Sequence, residues 1–354
     1  MFISDIKERN LPVIVPKGMG AEQWLSYRSK MIELFAREVY GFSPPPPENV
    51  RAKELLYEDK SWAGKAMYKK ISLGFDTPKG LFTFPVDLVI PRAKYKVPLV
   101  VYLSFTPYPC GKYGPIEEII DKGYALAIFC YNDVTKDDDK GFIDGIGEMY
   151  ERKNGGSDWG KISMWAWAAG RVMDYVQTLE DIDLSRIYCI GHSRLGKTAL
   201  WCGVQDRRFA GVGANNSGCS GVAVSRGKKG ERISDIVKQF PYWFCENYYK
   251  YAGNENKMPF DQSMLVSLMA PRLLAACNAE EDIWCDPDSE YISLLEASAA
   301  YDMLGVPGFI APMEYPKAGT KLCEGRLAFG LRLGTHFMSR HDWMFYLDFF
   351  NTHI

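Results

Sequence analysis

A serine, an arginine and a lysine lie close together in GHSRLGK, residues 191–197. The apolar run IYCI precedes them and TALWC follows. A serine at a sharp strand-to-helix turn keeps its hydroxyl exposed. The backbone N–H of the next residue, at the helix start, can then face a developing oxyanion. Ser193 is therefore a candidate nucleophile for acyl transfer, and Arg194 a candidate oxyanion donor. The G-x-S-x-G spacing is not kept, because Leu195 stands fifth and the second glycine comes at Gly196. A serine that only caps the following helix also fits this stretch.

A serine nucleophile needs a base and an acid, and behind this kind of turn they follow in the order Ser, acid, His. The chain has four histidines, at 192, 336, 341 and 353. His192 flanks the serine and is expected to point elsewhere. His353 is next to the C-terminus. His336, in LRLGTHFMSR, follows the last expected strand and is the expected base. His341 stands beside Asp342, which reads as the cap of the closing helix. For the acid, the loop after LLAACN offers Glu280, Glu281, Asp282 and Asp286, and the residue pattern does not choose among them. A carboxylate there would orient the imidazole and stabilise its protonated form. The cationic pair Arg194 and Lys197 suits an oxygen-rich or acidic acyl group better than an apolar one.

The elements that must hold these residues are legible as alternation. Residues 21–40 have helical apolar spacing with Trp24, Tyr27, Ile32, Leu34, Phe35, Val39 and Tyr40, and Gly41 with a run of prolines stops them. FTFPVDLVI and VPLVVYLSF read as strands, the second apolar enough to be covered on both faces. Further strands are expected at about 126–131, 186–190, 211–215, 272–277 and 327–332. Helices lie between them: one capped by Ser157 or Asp158, one near 290–304, and a closing one around DWMFYLDFF. Residues 132–150 read as a polar surface loop. Residues 217–262 form an insertion rich in aromatics, in which Phe240, Trp243, Phe244 and Tyr248 fit either a sugar platform or a cap core. This predicts one α/β domain over 1–354, with a mainly parallel, doubly wound sheet in a three-layer sandwich.

Composition excludes several classes. The chain has 354 residues, is 47% hydrophobic and 24% charged, and carries a formal charge of -2. That is globular, and without a long basic run nucleic acid is not an expected partner. No 18-residue apolar stretch is present, so no membrane partner is expected either. The N-terminus lacks a basic start followed by an apolar core, which reads as cytoplasmic. The nine cysteines form no CxxC pair and several sit in apolar runs, which predicts mostly free thiols.

GHSRLGKTALW, NNSGCSG, FDQ, LMAPRLL, EEDIW and LRLGTHFMSRHDW together resemble the glucuronoyl esterases of carbohydrate esterase family 15. The resemblance runs from about Trp24 to the C-terminus. It implies an α/β-hydrolase fold and a serine esterase that cleaves the ester between 4-O-methyl-glucuronate on xylan and lignin alcohols, with no cofactor and no metal. It also implies Ser193 as nucleophile, His336 as base, Arg194 at the oxyanion and Lys197 on sugar hydroxyls. Many members, the fungal ones above all, carry the acid as Glu in E-S-G after the strand that follows the elbow. Here Asn216 holds that position and cannot carry the charge. Some bacterial members place the acid after the next strand, in a motif like E-D-x-W. That implies Asp282 as acid, Glu281 as the alternative, and Trp284 as the aromatic on the uronate ring. The expected substrate is a small or oligosaccharide uronate ester. Two other readings remain: an acetyl (xylan) esterase on the same machinery, and a catalytically silent carbohydrate-binding relative.

Overall fold

The computed structural model describes residues 8–108, 114–312 and 314–353. One ten-stranded sheet carries the chain, in the order β1-β2-β3-β5-β4-β6-β7-β8-β10-β9. The strands are β1 Val50–Ser61, β2 Ala66–Thr77, β3 Gly80–Pro91, β4 Val97–Ser104, β5 Ala125–Cys130, β6 Ile182–His192, β7 Gly211–Asn215, β8 Leu273–Ala279, β9 Lys321–Leu322 and β10 Leu327–Arg332. Neighbours from β5 through β10 pair in parallel. β1 to β3 add an antiparallel meander at one edge, and β9 closes the other. This is the mainly parallel α/β-hydrolase sheet expected from the alternation.

Alternation along the central strands divides the core between two faces. Leu99, Val101 and Leu103 of β4 face one apolar cluster with Trp165, Leu200 and Leu294. Val100 and Tyr102 face the other, with Ile119, Trp343 and Phe350. Helices Lys161–Val176, Arg194–Gln205 and Pro287–Met303 thus cover one face, and Ile116–Asp121 and Arg340–Thr352 the other. The layers are helix, sheet, helix. Because all eight residues of β4 are buried, its sequence has no polar alternation to read.

The N-terminal segment is helical from Ala21 to Tyr40, passing from a 3-10 turn into an α-helix and ending in a π-helical turn. Trp24, Phe35, Val39 and Tyr40 are buried, and Tyr40 stacks on Trp201 at 4.3 Å. Gly41 ends the segment at a φ of 83°. A Cβ there would stand 2.2 Å from the Trp159 Cα, so only glycine lets the chain turn against that backbone.

Two expected helix caps need correction, and the reading left open for the insertion resolves. Helix Lys161–Val176 starts behind Gly160, not behind a Ser157 or Asp158 cap. The Asp158 carboxylate instead accepts the N–H groups of Lys153 and Asn154. The closing helix is capped by Ser339, and Asp342 sits three residues on, returning a bond to the Ser339 N–H. The aromatic insertion is mostly core: Trp243, Phe244 and Tyr248 are buried. Among the described cysteines Cys130, Cys189, Cys202, Cys219, Cys245, Cys277, Cys285 and Cys323 are free thiols, while Cys110 lies outside the described residues.

Candidate active site

The carboxyl ends of β6, β7, β8 and β10 share one edge of the sheet, because the four strands run in parallel. The candidate residues all come from the loops that leave that edge.

β6 ends at His192, and Ser193 turns the chain directly into helix Arg194–Gln205. Ser193 has a φ of 57° and a ψ of -125°, a conformation that side chains rarely adopt. Such a residue costs roughly 1–3 kcal/mol and persists only where its surroundings impose it. Two contacts impose it here. The Ser193 N–H donates to the Asn215 carbonyl at 2.8 Å, and the Ser193 carbonyl accepts from Gly196 at 2.9 Å. Gly191 makes the turn sterically possible, since a Cβ on it would lie 2.1 Å from the Leu195 carbonyl oxygen. Strain, exposure and the unsatisfied N–H groups of a helix start are what a nucleophile elbow needs, and a simple cap requires no such backbone.

His336 follows β10 in a short loop. Its Nδ1 lies 2.6 Å from Asp282 Oδ2, in the loop after β8. The Asp282 side chain is 2% exposed and that of His336 40%. The pair therefore has a buried anionic end and an end open to substrate. Burial alone would push the Asp282 pKa up. Bonds and charge from His336, with bonds from the Cys285 thiol and Asn216, more than offset this and hold it down at about 2. Asn216 Nδ2 donates to the same Oδ2 at 2.6 Å. The asparagine at the position where the resemblance implied a Glu in other members thus holds the Asp282 carboxylate instead.

The other carboxylates of that loop stand elsewhere. Glu281 is exposed and its Oε1 accepts the Gly334 N–H at 3.0 Å. Glu280 is exposed, and Asp286 caps helix Pro287–Met303. His341 is exposed in the first turn of the closing helix.

His192 is nearer than expected. Its ring centroid lies 4.6 Å from that of His336, and its Nδ1 is 2.6 Å from Asn215 Oδ1. Burial, with the adjacent His336, lowers its pKa to about 3, so it packs against the candidate base as a neutral ring. Cys285 Sγ stands 3.5 Å from His336 Nδ1 and 3.1 Å from the Asn216 carbonyl. Asp282, Cys285 and His336 offer donor atoms within 4.8 Å of one another, the set among the described residues that could hold a soft divalent ion. His336 and Asp282 already bond to each other.

Arg194 and Lys197 are both engaged. Arg194 Nη1 donates to Asp137 Oδ2, and the guanidinium lies 4.6 Å over the Trp243 ring. Asp137 belongs to the stretch 132–150 expected to be a plain surface loop, so a site residue was missed there. Lys197 is buried, donates to the Ser217 carbonyl at 2.6 Å and pairs with Glu231 Oε2 at 3.3 Å. The Glu231 N–H donates to the Trp284 carbonyl at 2.9 Å. The insertion therefore ties the acid loop to the elbow helix through Lys197. Trp284 is 49% exposed beside that knot. Truncation of Lys197 should do more than remove a sugar contact. It leaves Glu231 buried and unpaired, so Lys197→Ala should lower unfolding stability by about 3–5 kcal/mol in urea titrations. An unchanged midpoint would mean that the ion pair carries no structural weight.

Comparison with known proteins gives a uniform picture. A family model described as "Glucuronyl esterase, fungi" matches residues 79–305. The carbohydrate esterase MZ0003, from an unknown prokaryotic organism, is 32% identical over 96% of this chain and 87% of its own length. The solved structure of a glucuronoyl esterase from Solibacter usitatus superposes with a TM-score of 0.89 at 32% identity, covering 97% of each chain. A promiscuous carbohydrate esterase family 15 enzyme from a marine bacterial metagenome superposes at 0.88, with 29% identity over the full length of both chains.

Proposed function

The chain belongs to the glucuronoyl esterases of carbohydrate esterase family 15, and from that premise we propose that it hydrolyses uronate esters of carbohydrates through Ser193, His336 and Asp282. It is a carboxylic ester hydrolase. The observation that carries the finer reading is the 2.6 Å contact between His336 Nδ1 and the buried Asp282, with the His336 ring 4.6 Å from that of His192, the residue before a serine held at a φ of 57°.

The mechanism follows from this arrangement. Asp282 keeps the proton of His336 on Nδ1, so Nε2 is free to take the proton of Ser193 as Oγ attacks the ester carbonyl. The Arg194 N–H and its guanidinium stabilise the charge on the tetrahedral oxygen. Collapse expels the alcohol, which takes its proton from Nε2. Water then adds to the acyl-enzyme with Nε2 as base, and the free uronate leaves. The positive charge of Arg194 favours an acid-bearing or oxygen-rich acyl group. Trp284 supplies an exposed ring for the sugar face, and Lys197 a third N–H beyond the two already bonded.

A second reading, acetyl ester hydrolysis, is favoured by the promiscuity of the marine relative. One assay separates the two: methyl glucuronate against an acetylated xyloside, with Ser193→Ala as the blank. The uronate ester should give the higher kcat/KM, and methyl, allyl and benzyl glucuronates should react alike. Preference for the acetylated xyloside would replace the substrate assignment with the second reading.

A further inference from the structure

The loop between β5 and helix Lys161–Val176 carries Asp137 to the elbow, and the fold fixes this carboxylate from several sides. Oδ2 accepts from Arg194 Nη1 and from the Tyr131 hydroxyl at 3.1 Å. Oδ1 accepts from Trp243 Nε1 at 2.7 Å. Its own N–H donates to Asn132 Oδ1 at 2.9 Å. The flanking backbone is tied from beneath. The fully buried Lys161 donates to the carbonyls of Lys136 and Asp138, the second at 2.9 Å.

The guanidinium also packs beside two stacked rings. Phe240 stacks on Trp243 at 3.9 Å, nearly parallel, and the guanidinium carbon lies 4.6 Å from one ring and 5.4 Å from the other. Arg194 Nε is buried without a bond among the described residues. A free arginine carries about 2 kcal/mol of rotamer freedom. Here that freedom is removed before any ester arrives, which makes the group preorganised and not recruited.

We infer that Asp137 is a positioning residue for ester hydrolysis: it anchors one edge of the Arg194 guanidinium, so that this cation stands fixed beside Ser193 for the charge that develops on the acyl oxygen. This rests on the assignment of Ser193 and Arg194 made above. Asp137 touches no reacting atom and acts through Arg194. The aromatics of the insertion then have a use distinct from a sugar platform, since the Phe240–Trp243 stack walls in the guanidinium.

A double-mutant cycle tests it, using methyl glucuronate and the full chain. Asp137→Asn should lower kcat roughly 10- to 30-fold with KM within about twofold, and Arg194→Ala roughly 100-fold. Adding Asp137→Asn to Arg194→Ala should change kcat by less than about twofold, because the group to be positioned is gone. Should Asp137→Asn fail to melt cooperatively, Trp243→Phe replaces it. That change removes the indole N–H but keeps an aromatic ring, and should give a smaller fall in kcat that is likewise silent behind Arg194→Ala. Effects that multiply in the cycle, or a change confined to KM, overturn the inference. Ser193→Ala and His336→Ala separate the two levels. If both are inactive and the cycle multiplies, positioning alone is wrong. If either keeps full turnover, the site assignment falls and the inference with it.

Discussion

Asp282→Asn should lower kcat by a factor of ~10⁴ with the fold intact, the loss expected when the acid of such a triad is neutralised. The geometry explains why an isosteric change is so damaging. Oδ2 receives both His336 Nδ1 and Asn216 Nδ2, while Oδ1 receives the Cys285 N–H at 3.3 Å. An amide has one oxygen for these two sides, so a donor must face a donor. Turning the amide to spare Cys285 forces the His336 proton onto Nε2, where it blocks general-base action. Glu281→Gln should cost less than about threefold, because its exposed carboxylate only accepts the Gly334 N–H, which an amide oxygen also does. Steady-state kinetics on methyl glucuronate check both. Damage from the Glu281 change and none from Asp282 would move the acid by one residue. The low Asp282 pKa also has a stability consequence. Its unfolded value is about 3.9, so its contribution is complete above that pH and is lost as pH falls toward 2.

Glu290 should make the protein less stable as pH rises, opposite to Asp282. Its carboxylate is fully buried on helix Pro287–Met303. Burial pushes its pKa up, against the bonds from the Gly218 N–H, Asn278 and Ser217 and the charge of Lys197, and leaves it at about 7. The unfolded value is about 4.3. Between the two the folded chain holds a proton that the unfolded chain does not, so stability is greatest below the unfolded value and declines as pH climbs through 7. The full swing is at most about 4 kcal/mol. Glu290→Gln should remove it. The amide keeps an oxygen for Gly218 N at 2.6 Å and Ser217 Oγ at 2.8 Å. Its new NH₂ has an acceptor available, since Asn278 Oδ1 is buried without a bond among the described residues and comes into reach when that amide turns over. Urea unfolding at pH 5.5 and 8 should show the variant gaining on the wild type at the higher pH. A variant that tracks the wild type across that window would mean that Glu290 is ionised throughout.

Local signals account for what the sequence made legible. The elbow is encoded within seven residues, and the strands from β4 to β8 are short apolar runs between turns. His336 could be picked out because only four histidines compete. Asp282 needed the E-D-x-W resemblance, since four carboxylates in one loop look alike in sequence. Asp137 was hidden because its partner lies 57 residues away and its surroundings are polar. Asn216 and Glu290 bond across 66 and 72 residues, separations that no local pattern records. β1 was missed for another reason: RAKELLYEDK is nearly as charged as a surface helix, and only its pairing with β2 makes it a strand.

That same β1 has a bearing on how these molecules meet one another. It is a twelve-residue outer strand with Leu55, Leu56 and Tyr57 about half exposed. An outer strand of that length, if flat, invites another chain to zip onto its open N–H and C=O groups. Two irregularities break its register, between Glu54 and Leu56 and between Glu58 and Ser61. Its charges are drawn inward to the neighbouring strands, as in Glu54 with Lys69 at 3.6 Å and Asp59 with Arg92 at 2.7 Å. A kinked, charge-studded rim cannot template a straight partner, so crowding should leave this edge free of fibril-like growth.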